Sequence, residues 1–326
     1  MALGKAMVAM EDGAVDVLEE GRTPPVAGPA QLQLSVDGAM IPLVGGKWAE
    51  VRTVAIGELQ RDLEGNLRAT KLSYFSRLTD AATFIRLATI ETHRRGIEQA
   101  TLVAAVNDGA DWIQLFIDVH AHKARRVLDL SHASSYVHSA GHTIPDGKCG
   151  SWCDGQITEL VTGEPKVVIE ALAELSKSLT QDIAARAIVE QSHAYLAKRE
   201  EQIQYRRFKA EGLPIGSGIV ESANKLVMEA RCKGAGMHWR PENVNPILAL
   251  RCAYLSGHWQ TSATLAQERL RIAHNVDRAT RRCARTQSRR TTNQPPKRPP
   301  TIVNGRPTKD HPYNRRPAVT PRRAKL

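Results

Sequence analysis

One short segment narrows the choice of fold more than any other. Residues 101–106 (TLVAAV) form an unbroken apolar run that stops at Asn107-Asp108-Gly109. A strand reads this way when both faces of a parallel sheet are covered, because it then has no solvent side to alternate with. A helix-like stretch follows (Trp112, Leu115, Phe116, Val119), then a second short run, Arg126-Val-Leu-Asp-Leu130, and His132. Strand, helix, strand is a crossover unit, and crossover units build sheets with helices laid against them. Upstream, Leu32, Leu34 and Val36 alternate with Gln33, Ser35 and Asp37; this period of two predicts a strand with one polar face, on which Asp37 projects. Residues 48–60 and 71–76 predict two more strands around the turn Leu63-Glu-Gly-Asn66, completing a three-strand meander. The spacing then changes, and Ala81, Phe84, Ile85, Ala88 and Thr92 predict a helix over 80–95 with Asp80 as its cap. The fold class is therefore α/β, a mixed sheet with flanking helices.

Residues 1–30, rich in Gly, Pro and acids, read as a linker-like amino-terminal segment. A catalytic domain is expected over 31–260, interrupted at about 133–210 by an insertion that is mostly helical in pattern. Pro214-Ile-Gly-Ser-Gly218 reads as a turn opening a helix over about 219–231, with Ser217 as its cap and Glu221 in its first turn. Residues 261–326 read as a basic, Pro/Arg-rich, disordered arm. From Arg269 onward, 17 Lys and Arg stand against Asp277 and Asp310, a charge of +15, which leaves −4 for everything before it. Such an arm either contacts phosphates, releasing counterions with a salt-sensitive affinity, or is a solvated tail. The five cysteines are odd in number and scattered, which suits a reducing cytosol. No apolar run approaches the length of a membrane span, and acids interrupt the first twenty residues, so a cytoplasmic location is expected.

Asp37, Asp108 and Glu221 each stand where an element begins or ends. A meander followed by a crossover unit puts Asp37 and Asp108 on neighbouring central strands, and a later helix packed across the sheet brings Glu221 to them. Asp111, one helical turn beyond Asp108, competes with it but belongs to the helix and not to the strand tip. Converging carboxylates repel, so they persist where hard divalent cations neutralise them, and magnesium prefers carboxylate oxygen. Two such ions about 3.5–4 Å apart serve in-line displacement at a phosphodiester.

Several stretches then point to one family. LSVDGAMIPL (34–43), AAVNDGADWIQ (104–114), VLDLSHA (127–133), PIGSGIVESANKLVMEARCKGAGMHW (214–239) and ENVNPILALR (242–251) resemble bacterial insertion-sequence transposases of the ISKra kind, which are related to the Mutator-like group. The similarity covers about residues 31–260, and VNGRPTKDHPYNRRP (303–317) shares the family's flavour. The resemblance implies an RNase H-like fold and metal-dependent cleavage and strand transfer of DNA by three acids matched by Asp37, Asp108 and Glu221. It implies two Mg2+ ions, for which Mn2+ substitutes, and catalytic roles for Asp129 and His132, which match the family's D-x-x-H element. The implied partners are element ends and target DNA, with a homo-oligomer assembled on nucleoid-associated DNA and no membrane. Family members usually carry a longer amino-terminal DNA-binding region than the roughly 30 residues preceding the first strand here, which favours the first of two alternatives. One is a truncated, non-catalytic DNA-binding remnant; the other is a metal-dependent nuclease without strand joining.

Other residues compete for attention. His138, His142, Cys149 and Cys153 offer zinc-compatible ligands, but Gly141, Pro145, Gly147 and Gly150 break any helix that would preset the pairs. Gly216-Ser-Gly218 reads as a shaper of Glu221's turn before a phosphate cradle. Arg231, Lys233, His238, Trp239 and Arg240 form a basic, aromatic patch that suits either DNA contact or packing of Trp239.

Overall fold

The computed structural model describes residues 1–21, 23–144, 147–292, 302–309 and 311. In chain order the first elements are helix α1 (Ala2–Glu19), strands β1 (Gln31–Leu43), β2 (Lys47–Arg61) and β3 (Leu67–Leu78), helix α2 (Ala81–Arg94), β4 (Leu102–Asn107), α3 (Asp111–His120) and β5 (Arg125–Leu128). Five helices follow: α4 (Leu130–Gly141), α5 (Cys149–Thr162), α6 (Pro165–Ser178), α7 (Ile183–Ala197) and α8 (Tyr205–Ala210). Next come α9 (Gly218–Ala223), a π-helical turn at Asn224–Glu229, α10 (Ala230–Cys232), α11 (Pro241–Leu255) and α12 (Trp259–Thr292). Two short strands, β6 (Ile302–Val303) and β7 (Arg306–Pro307), pair around Asn304 and Gly305, whose positive φ angles suit a tight hairpin turn.

The central sheet has the order β3-β2-β1-β4-β5. The meander pairs are antiparallel, and β4 runs parallel to both β1 and β5. Pleating sends alternate side chains to opposite faces. On one face, Leu32, Leu34 and Val36 of β1 and Val103 and Ala105 of β4 pack with Phe84 and Phe116 of α2 and α3. On the other, Ala104 and Val106 of β4 pack against α4 and the helices of the insertion, while Ile41, Val51 and Ala55 pack under α9 and α11. The chain is mixed α/β, with helices on both sides of a five-stranded mixed sheet.

Three expectations change. Residues 1–30 are not simply a linker, because α1 occupies most of them. Its buried positions Gly4, Met7, Glu11 and Val15 recur at helical spacing, and one of them is an acid, which disguises the pattern. A Cβ at Gly4 would fall 2.4 Å from the Pro246 carbonyl oxygen, so α1 approaches α11 as only a glycine allows. Glu11 forms an ion pair with Arg77 of β3, whose side chain is 1% exposed and lies over the Phe75 ring. Second, the polar side of β1 does not face water. Gln33 and Ser35 are buried, because β1 is the central strand and is covered on both faces. Third, the basic arm expected from residue 261 is helical to Thr292. Residues 293–301, 310 and 312–326, with Lys297-Arg298, Arg315-Arg316 and Arg322-Arg323, lie outside the described residues. The chain divides into two units, Met1–Leu270 and Arg271–Leu326.

Removing one partner of a buried ion pair leaves the other charge uncompensated and costs about 3–5 kcal/mol. Glu11→Ala is therefore expected to lower the unfolding free energy by about that amount in a urea titration, and Arg77→Met added to it should restore most of the loss. A Glu11→Ala variant as stable as the parent would detach α1 from the core.

Candidate active site

Two parallel strands held in register bring the first two acids together. Leu34 pairs with Ala105, and two residues later the Asn107 side chain accepts the Val36 amide at 2.5 Å. Asp37 and Asp108 are the next residues along. The pleat turns Asp37 to the side of Gln33 and Ser35, and Asp108 follows Ala104 and Val106 on that same side. The third acid arrives through the turn before α9, which three bonds tie down. Ile215 and Gly216 carbonyls accept from Leu130 N and Gln33 Nε2, each at 3.0 Å, and Ser217 N donates to Asp129 Oδ2 at 2.6 Å. Glu221 lies in the first turn of α9, packed over β1 and β2. Asp37, Asp108 and Glu221 then line one cavity of about 300 Å³ together with Asp129, Ser131, His132, Ser135 and Ser217.

This cavity is short of positive charge. Burial pushes the Asp37 carboxyl up to about 6, and the carboxylates of Asp108 and Glu221 add to the rise; hydrogen bonds from Gly38 N and Asn224 Nδ2 oppose it. Asn224 opens the π-helical turn and donates to Asp37 Oδ2 at 2.7 Å, while its own buried Oδ1 has no partner among the described residues. Turns of this kind recur at functional sites because they redirect side chains without ending the helix. Arg251 of α11 donates from Nε to the Val227 carbonyl at 2.7 Å and to the Leu226 carbonyl at 3.1 Å.

Asp129 and His132 both reach the cavity, in different ways. Asp129 is buried and both of its oxygens accept backbone amides, His132 N on Oδ1 at 2.9 Å and Ser217 N on Oδ2. It caps α4 and anchors the Glu221 turn. His132 is half-buried, with its ring edge-on to Tyr136 and Tyr195 at 5.5 and 5.7 Å. Sequence reasoning missed Asn224, Tyr195 and Arg199; the last two bind the backbone of the Asp108 turn, contacts that no local pattern announces.

Other candidates fall elsewhere. The Asp111 side chain is 90% exposed, stands 3.8 Å from Lys198, and is not part of the cavity lining. Ser217 precedes α9 without a side-chain cap, and its amide is already taken by Asp129, which weakens the turn as a phosphate cradle. Trp239 is half-buried beside Leu43, exchanges backbone bonds with Pro42 and Val44, and donates Nε1 to the Cys232 carbonyl, so its bonding groups serve packing. Cys149 Sγ lies 3.9 Å from His142 Nδ1, and Cys153 is buried beside Gly141. Among the described residues no group of three His, Cys, Asp or Glu is arranged to hold a metal ion, and no helix is long and apolar enough to cross a membrane. The acids nevertheless suit a hard cation in kind, since they are all-oxygen donors, one of them desolvated and crowded by two like charges. No protein-family model matches the chain, and no curated protein matches it.

A carboxyl whose folded pKa lies above its unfolded value loses stability as pH rises through that interval. Asp37→Asn should thus leave stability unchanged near pH 4 and exceed the parent by about 1 kcal/mol above pH 6, in chelator-containing buffer. Denaturant midpoints of the two proteins across this range test it, and equal midpoints at every pH would show that the three charges do not crowd one another.

Proposed function

We propose that the chain is a DDE transposase of an insertion sequence, with an RNase H-like catalytic domain that cleaves DNA and joins the cut strand to target DNA. The single observation that carries this reading is the meeting of Asp37, Asp108 and Glu221, far apart in sequence, on one cavity. The sheet order supports it, being the meander-plus-crossover arrangement the reading requires. Asp37, Asp108 and Glu221 would hold two Mg2+ ions, with Mn2+ able to substitute. Bound there, such ions supply Lewis acidity at the phosphoryl oxygens and lower the pKa of an attacking hydroxyl.

The chain's own residues do the rest. In the first step a water oxygen bonds to phosphorus at the element end, the bond to the 3′ oxygen breaks, and that oxygen leaves as a 3′-hydroxyl. In the second, this hydroxyl oxygen attacks a phosphorus of the target strand, whose own 3′ oxygen departs and takes up the proton. His132, at the cavity wall, is placed to donate a hydrogen bond to a phosphate oxygen. Asp129, which accepts amides from α4 and from the turn before α9, positions Glu221 and His132.

DNA as partner draws support from α12. Arg271, His274, Arg278, Arg281 and Arg285 recur at three- and four-residue spacing, one basic face on a single helix, with Asp277 paired to Arg281.

On duplexes carrying the encoding element's ends, the wild-type protein with Mg2+ or Mn2+ should yield nicked and joined products, and Asp37→Asn, Asp108→Asn and Glu221→Gln should each abolish both while retaining DNA affinity. Nicks without joined products would favour a nuclease; cleavage indifferent to a chelator would end the reading. For α12, Arg278→Ala with Arg285→Ala should reduce the slope of log affinity against log salt by about 2, roughly one per lost phosphate contact. An unchanged slope would remove this face from the DNA interface.

A further inference from the structure

The tip of β4 is gripped from outside the sheet. Gly109 has φ +81°, and a Cβ built there would lie 2.7 Å from Arg199 Nε and 2.8 Å from Tyr195 Oη. The Tyr195 hydroxyl donates to the Asp108 carbonyl, and Arg199 Nη2 donates to the Gly109 carbonyl at 2.8 Å. Arg199 is 7% exposed. Its guanidinium lies 3.8 Å from the centre of the Tyr195 ring, and Nη1 donates to the Tyr195 carbonyl at 3.2 Å. The Tyr195 ring in turn stacks on Tyr136 of α4 with centres 3.9 Å apart and planes within 11°.

Among the described residues, no carboxylate lies within ion-pair distance of Arg199. A buried cation would ordinarily take an acidic partner. This one spends its donors on two backbone carbonyls and its flat face on an aromatic ring, geometry that a lysine's point charge cannot reproduce. The outcome is a fixed backbone on either side of the Asp108 side chain, whose Oδ1 is already turned to accept Ala110 N at 2.9 Å.

We infer that Tyr195 and Arg199 are positioning residues for Asp108: the helical insertion, through the last turn of α7 and the residues just after it, holds the Asp108–Gly109 turn in the shape that presents this carboxylate to the cavity. The inference rests on the proposed function only in making Asp108 a metal-holding residue; the grip on the turn stands on its own contacts. It gives the insertion a task inside the catalytic domain, as a brace for one of three mutually repelling acids.

Tyr195→Phe removes one hydroxyl and keeps the stacked ring, and Arg199→Lys keeps the charge and loses the fork. Two measurements on the full chain test the grip. In metal-free buffer, hydrogen exchange of the Ala110 amide should accelerate about tenfold in Tyr195→Phe, with unchanged exchange in α11, which packs on β3 at the other side of the sheet. In calorimetric titration with Mn2+ alone, both variants should bind about tenfold more weakly than wild type, the scale expected when a supporting group behind a metal-holding residue is lost. On DNA, turnover should fall while KM stays within about twofold. Unchanged Ala110 exchange in Tyr195→Phe, or Mn2+ affinity equal to wild type in both variants, overturns the inference. Should wild type itself bind no Mn2+, the proposed function fails, and the exchange comparison still decides whether the turn is held. Arg199→Lys failing to fold leaves the decision with Tyr195→Phe.

Discussion

One buried carboxylate ties the site together. Asp129 accepts one amide from the first turn of α4 and another from the turn before α9, so three stretches separated by up to 88 residues share a single side chain. Charge-assisted hydrogen bonds are about twice as strong as neutral ones, and the one from Ser217 is buried. Without this acceptor, the Ser217 amide would be an unsatisfied buried donor and the Glu221 turn would be held by only two carbonyls. The position of Glu221 relative to Asp37 and Asp108 therefore depends less on α9 itself, a six-residue helix, than on what fastens its entry.

The fastening has to oppose a force. Three carboxylates facing one cavity push one another apart, and at Asp37 burial, with the charges of Asp108 and Glu221 adding to it, raises the carboxyl above its ordinary range. The surrounding structure answers with directed donors: Gly38 N and Asn224 Nδ2 on Asp37, and Ala110 N on Asp108. Each opposes charge with a fixed dipole, leaving the cavity itself open to a cation. Sites of this kind store instability that the rest of the fold must supply, here through the buried faces of β1 and β4 and the helices laid over them.

Much of this was legible in the sequence, and the limits have physical causes. The TLVAAV run identified β4 because a doubly covered strand has no polar alternation to confuse it, and the acids at 37 and 108 followed from parallel neighbours in register. The meander turn and the Asp80 cap were local chemistry, and both are present. Helix α1 was hidden because its core-facing stripe includes Gly4 and Glu11, residues that look like linker until Pro246 and Arg77 are beside them. The polar residues Gln33 and Ser35 suggested a wet face, whereas Gln33 is buried to hold the Gly216 carbonyl. Tyr195 and Arg199 gave no signal at all, since their partners are backbone atoms 87 and 90 residues away.

The π-helical turn after Glu221 shows why the candidate site could be named from sequence but not built from it. A regular helix over 219–231 would carry one repeating set of inward positions. Instead Val220 and Ala223 are buried on one turn, and Val227 and Met228 sit side by side in the core on the next. That slip lets the same segment keep its apolar contacts with β2 and α11 while Asn224 points at Asp37 and Glu221 at the cavity. Arg251 of α11 donates to the Leu226 and Val227 carbonyls of this turn and so ties it to the helix that follows. The hydrophobic spacing of residues 219–231 reads as one helix and does not announce the interruption. The need for it arises from the sheet, which fixes where Asp37 lies before the helix is laid across it.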